Sequence, residues 1–398
     1  MLLVSVFLWF IVDTLYVNLR TYFTPTGFQI DHTYLVGLRA VTEESYQYIP
    51  ADQRTTSTAD DLLTVIDRMR TYPGVEAVSL SDASYPYNNS DGWSDVKRDT
   101  TRMHAQRRRV TADFFRVFRL TNPKGEIDPL VNNMAFNQLI ISPEIAEELY
   151  PEGNVVGKEI GFHYTFGDGD SVGYRIGAVC PPLKCDDFRK SNPTFFFLWT
   201  EKMLQEDLSE AALPFMEVCL RVKPEADNDF VARFKKDMAV LARYNNLFML
   251  DVRPFSEVRE RFIRDRVNEF KLSLSVIGFL LVNIFLGIVG TFWFRTQQRQ
   301  GEMGLRIALG STGRGLQKML MLEGIVLLLF AFLPAMLISL NIGLKDLVNV
   351  ELMPFSAGRY FLCQGITFVL IAGMISFGVL YPALKTARLQ PAEALHYE

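Results

Sequence analysis

Three apolar segments near the C-terminus, each about 20 residues long, constrain this chain more than any other feature. They cover residues 272–294, 319–340 and 360–381, and Glu323 is the one charged residue inside them. A helix of about 20 apolar residues crosses the hydrocarbon core of a bilayer, and it satisfies its own backbone hydrogen bonds there. The sequence therefore predicts three transmembrane helices, named spans 2, 3 and 4.

A fourth candidate span lies at the N-terminus. The run "MLLVSVFLWFIV" has only 12 residues before Asp13, which is too short to cross a bilayer unless "DTLYVNL" continues the helix. A secretory signal peptide would carry a basic start and a small-residue cleavage site, and the sequence has neither. We expect residues 1–19 to form span 1, with its cytoplasmic beginning missing from this chain.

Lysine and arginine set the expected orientation, because they accumulate in cytoplasmic loops. Residues 295–318, the connecting segment between spans 2 and 3, carry five basic residues against one acid, Glu302. Loop 341–359 has two residues of each charge. We therefore expect the connecting segment and the tail 382–398 to be cytoplasmic and loop 341–359 to be outside. Counting back across span 2, region 20–254 lies outside, in the periplasm beyond a bacterial inner membrane.

The external region alternates helix and strand signals. "DDLLTVIDRMRTYPGVEAVSLS" has apolar residues at helical spacing, then a Pro-Gly break and a strand-like run. "DNDFVARFKKDMAVLARYNNLFMLDVRP" repeats this plan near the other end of the region. The two units predict a paired α/β subdomain with other material inserted between them. The predicted fold class is a multi-pass α-helical membrane protein of four spans, with a large α+β domain between spans 1 and 2.

No group of residues in the sequence indicates a catalytic or metal site. The four histidines are scattered, and none has a partner at metal-ligand spacing. Cys180 and Cys185 are close enough in sequence to form a disulfide in an oxidising compartment, or they are two ordinary thiols beside a Pro-Pro turn. The net charge is −4, and we expect no nucleic-acid partner, no metal and no bound cofactor.

The connecting segment contains a short amphipathic helix, predicted at residues 297–309. At 100° per residue, Arg299, Glu302 and Arg306 fall in one narrow stripe. Glu302 and Arg306 form an i,i+4 pair of favourable polarity, and Gly310 is placed to end the helix at C′. Such a helix either lies on the membrane surface or fits into a cleft on a cytoplasmic partner. Periodicity alone favours neither.

Glu323 is a functional candidate, because it is an acid inside a span. It lies about one turn from the cytoplasmic end of span 3, within reach of the membrane interface. We expect a structural role rather than a proton relay, with the carboxylate at the interface or paired with Lys318 or Arg314.

The connecting segment and the C-terminus resemble a known family. "RQGEMGLRIALGSTGRGLQKMLMLEGIVL" is similar to the signature of FtsX-like permease domains, in the macrolide-exporter (MacB) and lipoprotein-release class of ABC transporters. The residues that match its pattern are Glu302, Gly304, Arg306, Ala308 and Gly310. The ending "YPALKTARLQPAEALHYE" resembles the family's closing motif through Tyr381, Pro382, Arg388, Pro391 and Glu393. "VTADFFRVFRL" and "PEIAEELYPEGNVVGKEI" resemble the periplasmic core domain of that class.

The resemblance implies a permease subunit of an export or efflux system, without a fused ATPase. The matched residues of the connecting segment would form a coupling helix against a separate ABC ATPase subunit, which binds the ATP. Residues 255–271, a charged helical run, would be a stalk that passes ATP-driven motion to the periplasmic domain. Further implied partners are a second permease subunit, identical or different, and in the exporter type a periplasmic adaptor and an outer-membrane channel.

Two other functions fit the same residues. A regulatory module of the FtsX type would control a periplasmic cell-wall enzyme and transport nothing, and a lipoprotein-release permease would act on lipoproteins. The large external domain with its two helix–strand units favours the export class. A membrane-anchored periplasmic enzyme is disfavoured, because one span would suffice as its anchor.

Overall fold

The structure is a computed structural model that describes residues 1–88, 92–162, 173–299, 301–302, 305–306 and 309–386. It describes the backbone alone at residues 313–314, 316–317 and 379–386. The chain divides into two compact units. The membrane unit comprises Met1–Phe23 and Arg266–Glu398, and the external domain is Thr24–Asp265.

The elements alternate in type along the external domain, whereas the described elements of the membrane unit are helices. In chain order the described helices are α1 (Leu2–Phe23), α2 (Thr58–Arg70), α3 (Phe114–Val117), α4 (Asp128–Asn132), α5 (Pro143–Leu149), α6 (Glu201–Asp207), α7 (Phe230–Leu241), α8 (Phe255–Gln298), α9 (Gly313–Leu344) and α10 (Ala357–Thr386). The described strands are β1 (Thr33–Ala40), β2 (Val75–Asp82), β3 (Gly92–Arg98), β4 (Thr101–Val110), β5 (Gln138–Ile141), β6 (Glu159–Phe162), β7 (Tyr174–Val179), β8 (Thr194–Leu198), β9 (Glu217–Val222) and β10 (Leu247–Pro254).

Within the described residues, four helices are long and apolar enough to cross a membrane: α1, α8, α9 and α10. α1 runs through "DTLYVNL", so this stretch continues the N-terminal helix to 22 residues. α8 joins the predicted stalk 255–271 and span 2 in one helix of 44 residues. The predicted fold class, four spans with a large α+β domain between the first and second, is confirmed.

The spans share an apolar core in the membrane unit. Trp9 of α1, Leu328 of α9 and Ile371 of α10 are buried in it. A Cβ added at Gly378 would lie 3.2 Å from the Cα of Val289, so the glycine lets α10 approach the backbone of α8. This contact places α8 against α10 in the membrane unit.

The described strands form one sheet in which six strands close into a ring. The order of the ten described strands is β10-β1-β9-β2-β4-β3-β6-β7-β5-β8. A parallel pairing joins β8 back to β4, so the strands from β4 to β8 in this order form the ring. In the core of the ring, Phe162 of β6 packs against Phe195 of β8 with ring centroids 4.7 Å apart. The other four strands, β10-β1-β9-β2, pair antiparallel as an open sheet.

The open sheet is covered on one face by α2 and α7. Alternate residues of a strand point to opposite faces, so Val218 and Leu220 of β9 lie in the core beneath these helices, and Cys219 lies in a second core. Leu62 of α2 and Phe234 of α7 share the first core. The predicted helix–strand units are α2–β2 and α7–β10, and the paired subdomain is confirmed.

Candidate functional site

After α8, the described residues 301–302 and 305–306 of the connecting segment are helical, and they are called the short helix below. Gly310 follows with a φ of +96°. The amide of Ser311 donates to the carbonyl of Arg306 over 2.9 Å. A left-handed C′ residue followed by this bond from C″ to C3 is the Schellman end of a helix. The predicted helix end at Gly310 is confirmed.

Three charged side chains form a ladder on this helix and on the chain leading into it. Oε1 of Glu302 lies 3.2 Å from Nη2 of Arg306, which is the predicted i,i+4 pair. Nε of Arg299 lies 3.7 Å from Oε2 of Glu302. All three side chains are 41–52 % exposed. Because water screens exposed ion pairs, the ladder adds little to stability and leaves its charges open to a partner.

Glu323 of α9 ties span 3 to the connecting segment. Its two carboxylate oxygens accept from Nη1 of Arg299 at 2.8 and 3.0 Å. The predicted partners were Lys318 or Arg314, and the partner found is Arg299, which lies in the helical stripe with Glu302. A structural role for Glu323 agrees with this contact.

Several residues that carry the family resemblance fall where the structure describes little. The backbone of Tyr381 and Pro382 lies in α10. Outside the described residues are Gly304, Ala308, Arg388, Pro391 and Glu393. The roles that the resemblance gives to all seven stay predictions.

Cys180 and Cys185 are both free and buried thiols in the structure. Burial raises the pKa of the Cys180 thiol, so this thiol stays protonated at neutral pH. Sγ of Cys185 lies 3.4 Å from Oε1 of Gln106 and 3.8 Å from Nη2 of Arg108. A disulfide between the two cysteines in an oxidising compartment stays a prediction.

A buried ion pair in the membrane unit was missed by the sequence analysis. Nε and Nη2 of Arg359 donate to the two carboxylate oxygens of Asp13 at 2.8 and 2.6 Å, and both side chains are 1 % exposed. Nη1 of Arg359 donates to the carbonyls of Asn349 and Met353. The pair therefore fixes α1 to α10 and to the loop before it. The available signal was Asp13 itself, because a charge in a span needs a partner.

Comparison with known proteins finds relatives for much of the chain. Residues 274–391 match the family described as FtsX-like permease C-terminal. The Bacillus subtilis (strain 168) protein "Uncharacterized ABC transporter permease YknZ" is 26 % identical over 275 residues, covering 62 % of this chain and 68 % of the relative. "Uncharacterized ABC transporter permease YvrN", from the same organism, is 23 % identical over 307 residues, covering 73 % of this chain and 69 % of the relative.

Two solved structures are similar to this chain at low TM-scores. One is the extracellular domain of the noncanonic ABC-type transporter YknZ from Gram-positive bacteria, with 10 % identity, a TM-score of 0.31 and coverage of 55 % of this chain and 100 % of that chain. The other is the periplasmic region of MacB from Actinobacillus actinomycetemcomitans, with 8 % identity, a TM-score of 0.34 and coverage of 62 % and 98 %.

The family match and the architecture agree. The match begins in the membrane part of α8 and runs through the connecting segment, α9 and α10. The relatives found by sequence are named as ABC transporter permeases. The chain is therefore a membrane protein that matches the FtsX-like permease C-terminal family over residues 274–391 and is similar to ABC transporter permeases.

Proposed function

We propose that this chain is the permease subunit of an ABC-type export system in the bacterial inner membrane. In this proposal a separate ATPase subunit binds and hydrolyses ATP, and a second permease subunit completes the transporter. The chain itself binds no cofactor and catalyses no reaction. The permease names of its relatives and the four candidate spans support this assignment.

The connecting segment is the observation that carries the proposal. Its helix presents the exposed Glu302–Arg306 pair, and Leu305 and Leu309 are exposed beside it. Apolar side chains next to charges that can pair with a partner are typical of a protein interface. The helix follows α8 along the chain, and Arg299 joins it to α9 through Glu323. A partner that moves this helix therefore acts on two spans at once.

The long helix α8 is the transmission element in this proposal. It begins at Phe255 in the extracellular domain and ends at Gln298, where the connecting segment follows. Motion that the ATPase imposes on the connecting segment passes along α8 to the extracellular domain. That domain then acts on the substrate outside the membrane, with a periplasmic adaptor and an outer-membrane channel as further partners.

Arg306→Glu tests the coupling role. The change turns the i,i+4 pair with Glu302 into a repulsive one and removes positive charge from the helix surface. We expect affinity purification from the native membrane to recover at least about tenfold less of the cognate ATPase, a loss of about 1.4 kcal/mol in binding. The variant should stay in the membrane and elute on gel filtration as the wild type does.

Lys345→Glu is the matched control, because it makes the same charge change at an exposed residue after α9. If Arg306→Glu retains the ATPase as well as Lys345→Glu does, the coupling role is contradicted. The wild-type purification also separates the candidate functions. A co-purifying adaptor protein supports export, whereas a cell-wall hydrolase supports regulation of the FtsX type.

A further inference from the structure

The first two turns of α8 contact one tight turn of the extracellular domain, which is the unit Thr24–Asp265. Phe255 is fully buried, and its ring packs nearly perpendicular to that of Tyr85, with centroids 5.5 Å apart. Phe262, about two helical turns further on, packs against Tyr87 with centroids 6.2 Å apart. Residues 83–88, named the anchor turn, therefore supply both tyrosines to one face of the helix.

Arg259 adds an ion pair between these two ring contacts. Its Nε lies 2.9 Å from Oδ2 of Asp187. Asp187 lies in a loop that is itself bonded to the anchor turn, because the amide of Tyr87 donates to the carbonyl of Cys185 over 2.9 Å. The anchor turn and this loop together hold the same stretch of α8.

The anchor turn has an unfavourable backbone. Ala83 has a φ of +49° and Tyr87 a φ of +64°. The left-handed region crowds the Cβ of any residue other than glycine, so both residues stay there only where surrounding contacts hold them. One such contact comes from the buried Arg108, whose guanidinium donates to the carbonyl of Ser84.

Glu217 of β9 supplies most of the remaining contacts. It is buried, and its Oε2 accepts from the amides of Ser84 and Tyr85 at 2.9 and 3.3 Å. The same oxygen accepts from the hydroxyl of Ser81 at 2.7 Å, and Oε1 accepts from Nδ2 of Asn88 at 2.5 Å. One side chain thus holds two consecutive backbone amides of the anchor turn. Removing it leaves those amides buried without this acceptor.

We propose that Glu217 is a positioning residue for α8. Through the hydrogen bonds that it accepts from the anchor turn, it fixes the place at which the helix leaves the extracellular domain. The link between Glu217 and the start of α8 stands on these contacts alone. Its use in transmission rests on the proposed function, because only then does motion along α8 enter the domain at this turn.

Hydrogen exchange on the full chain in detergent micelles tests this link. Glu217→Ala removes all four acceptor contacts, and we expect the amides of residues 83–88 (Pro86 has none) and 259–265 to exchange at least about tenfold faster. Amides of α2, which lies over the first core of the domain, should keep their wild-type rates. The matched control is Glu152→Ala, which removes a carboxylate that pairs with Arg98 and Lys158. Glu152→Ala should leave hydrogen exchange at residues 83–88 and 259–265 unchanged.

Unchanged exchange at residues 259–265 in Glu217→Ala overturns the proposal, and so does a uniform rise that includes α2. If Glu217→Ala does not fold, Tyr87→Ala tests the contact between the anchor turn and α8 directly, because it removes the ring that packs against Phe262. Unchanged exchange at 259–265 in that variant also overturns the proposal. ATP-driven transport by the complete system is measured separately. A loosened helix start with normal transport supports the positioning role and contradicts the proposed transmission.

Discussion

Two of the arginine–carboxylate pairs in the membrane unit, Asp13–Arg359 and Glu323–Arg299, differ in how far their side chains are exposed. Both side chains of Asp13–Arg359 are 1 % exposed, whereas those of Glu323 and Arg299 are 39 % and 47 % exposed. The closest contacts are similar, at 2.6 and 2.8 Å. Contact distance therefore does not distinguish the pairs, and burial does. We therefore expect the first pair to act as a fixed joint between helices and the second to exchange partners more readily.

The physical reason lies in what replaces water around each charge. Taking a guanidinium and a carboxylate out of water costs several kcal/mol per ion, and only close, well-satisfied geometry offsets that cost. Arg359 meets this condition, because Nε, Nη1 and Nη2 all donate to Asp13 or to backbone carbonyls. Arg299 is 47 % exposed and has Glu302 as a second carboxylate at 3.7 Å. Removing one of these two carboxylates should therefore cost Arg299 little stabilisation.

Asp13→Asn is expected to have the largest effect. It leaves the guanidinium of Arg359 buried without a counter-charge, so the free energy of unfolding of the membrane unit should fall by about 3–5 kcal/mol. Reversible unfolding of the full chain in mixed micelles measures this loss. The double variant Asp13→Leu with Arg359→Met should recover much of it, because neither ion is then left unpaired. A loss below about 1 kcal/mol for Asp13→Asn would place this pair with the exposed ones.

Glu217 separates the effect of burial from that of pairing. It is buried in the extracellular domain, and neutral groups donate to its oxygens where Asp13 has an arginine. Burial raises its pKa to about 7 from an ordinary 4.5, against the hydrogen bonds that lower it. Between these two values the folded domain keeps the proton and the unfolded chain releases it. The domain's stability should therefore fall as the pH rises through this window, by up to about 3 kcal/mol, and stay level above it.

Glu217→Gln is the matched variant for this pH effect, because it keeps the shape and removes the titration. Chemical unfolding of the full chain, followed in the extracellular domain, is compared at about pH 5 and about pH 8. The wild type should lose about 2 kcal/mol more than the variant over this range. Equal pH dependence in the two proteins would mean that burial without an arginine does not penalise this carboxylate.

The spacing of residues along the sequence predicts the exposed Glu302–Arg306 pair, but it does not predict the buried Asp13–Arg359 pair. The Glu302–Arg306 pair and the helix end at Gly310 depend on residues within one or two turns of each other. Asp13 and Arg359 are 346 positions apart. Nothing near either residue in the sequence indicates which acid meets which base, although Asp13 signals that some partner is needed.

The fold also has features that follow from local sequence and features that depend on contacts between distant residues. The spans and the α2–β2 and α7–β10 units follow from apolar length and helical periodicity, which are local properties. The ring of six strands depends on a parallel pairing in which Gln106 of β4 meets Thr194 of β8. Alternation along a strand shows which residues face a core, but it does not show which strand lies beside it. Glu323 belongs with this second group, since its partner is set by how α8 and α9 pack.

Glu323→Gln is expected to have the smallest effect on stability, and it is the direct counterpart of Asp13→Asn. Both substitutions turn a carboxylate that pairs with arginine into an amide. Because Arg299 stays hydrated and keeps Glu302 nearby, the free energy of unfolding should change by less than about 1 kcal/mol.

Salt dependence in the same unfolding assay sharpens the contrast between these two variants. Salt screens charges that face water, so raising its concentration should shrink the difference between Glu323→Gln and the wild type. It should leave the loss in Asp13→Asn unchanged, because ions in solution do not reach a pair that is 1 % exposed. A large, salt-independent loss in Glu323→Gln would mean that the connecting segment is as firmly joined to span 3 as α1 is to α10. The connecting segment could then move only together with both helices.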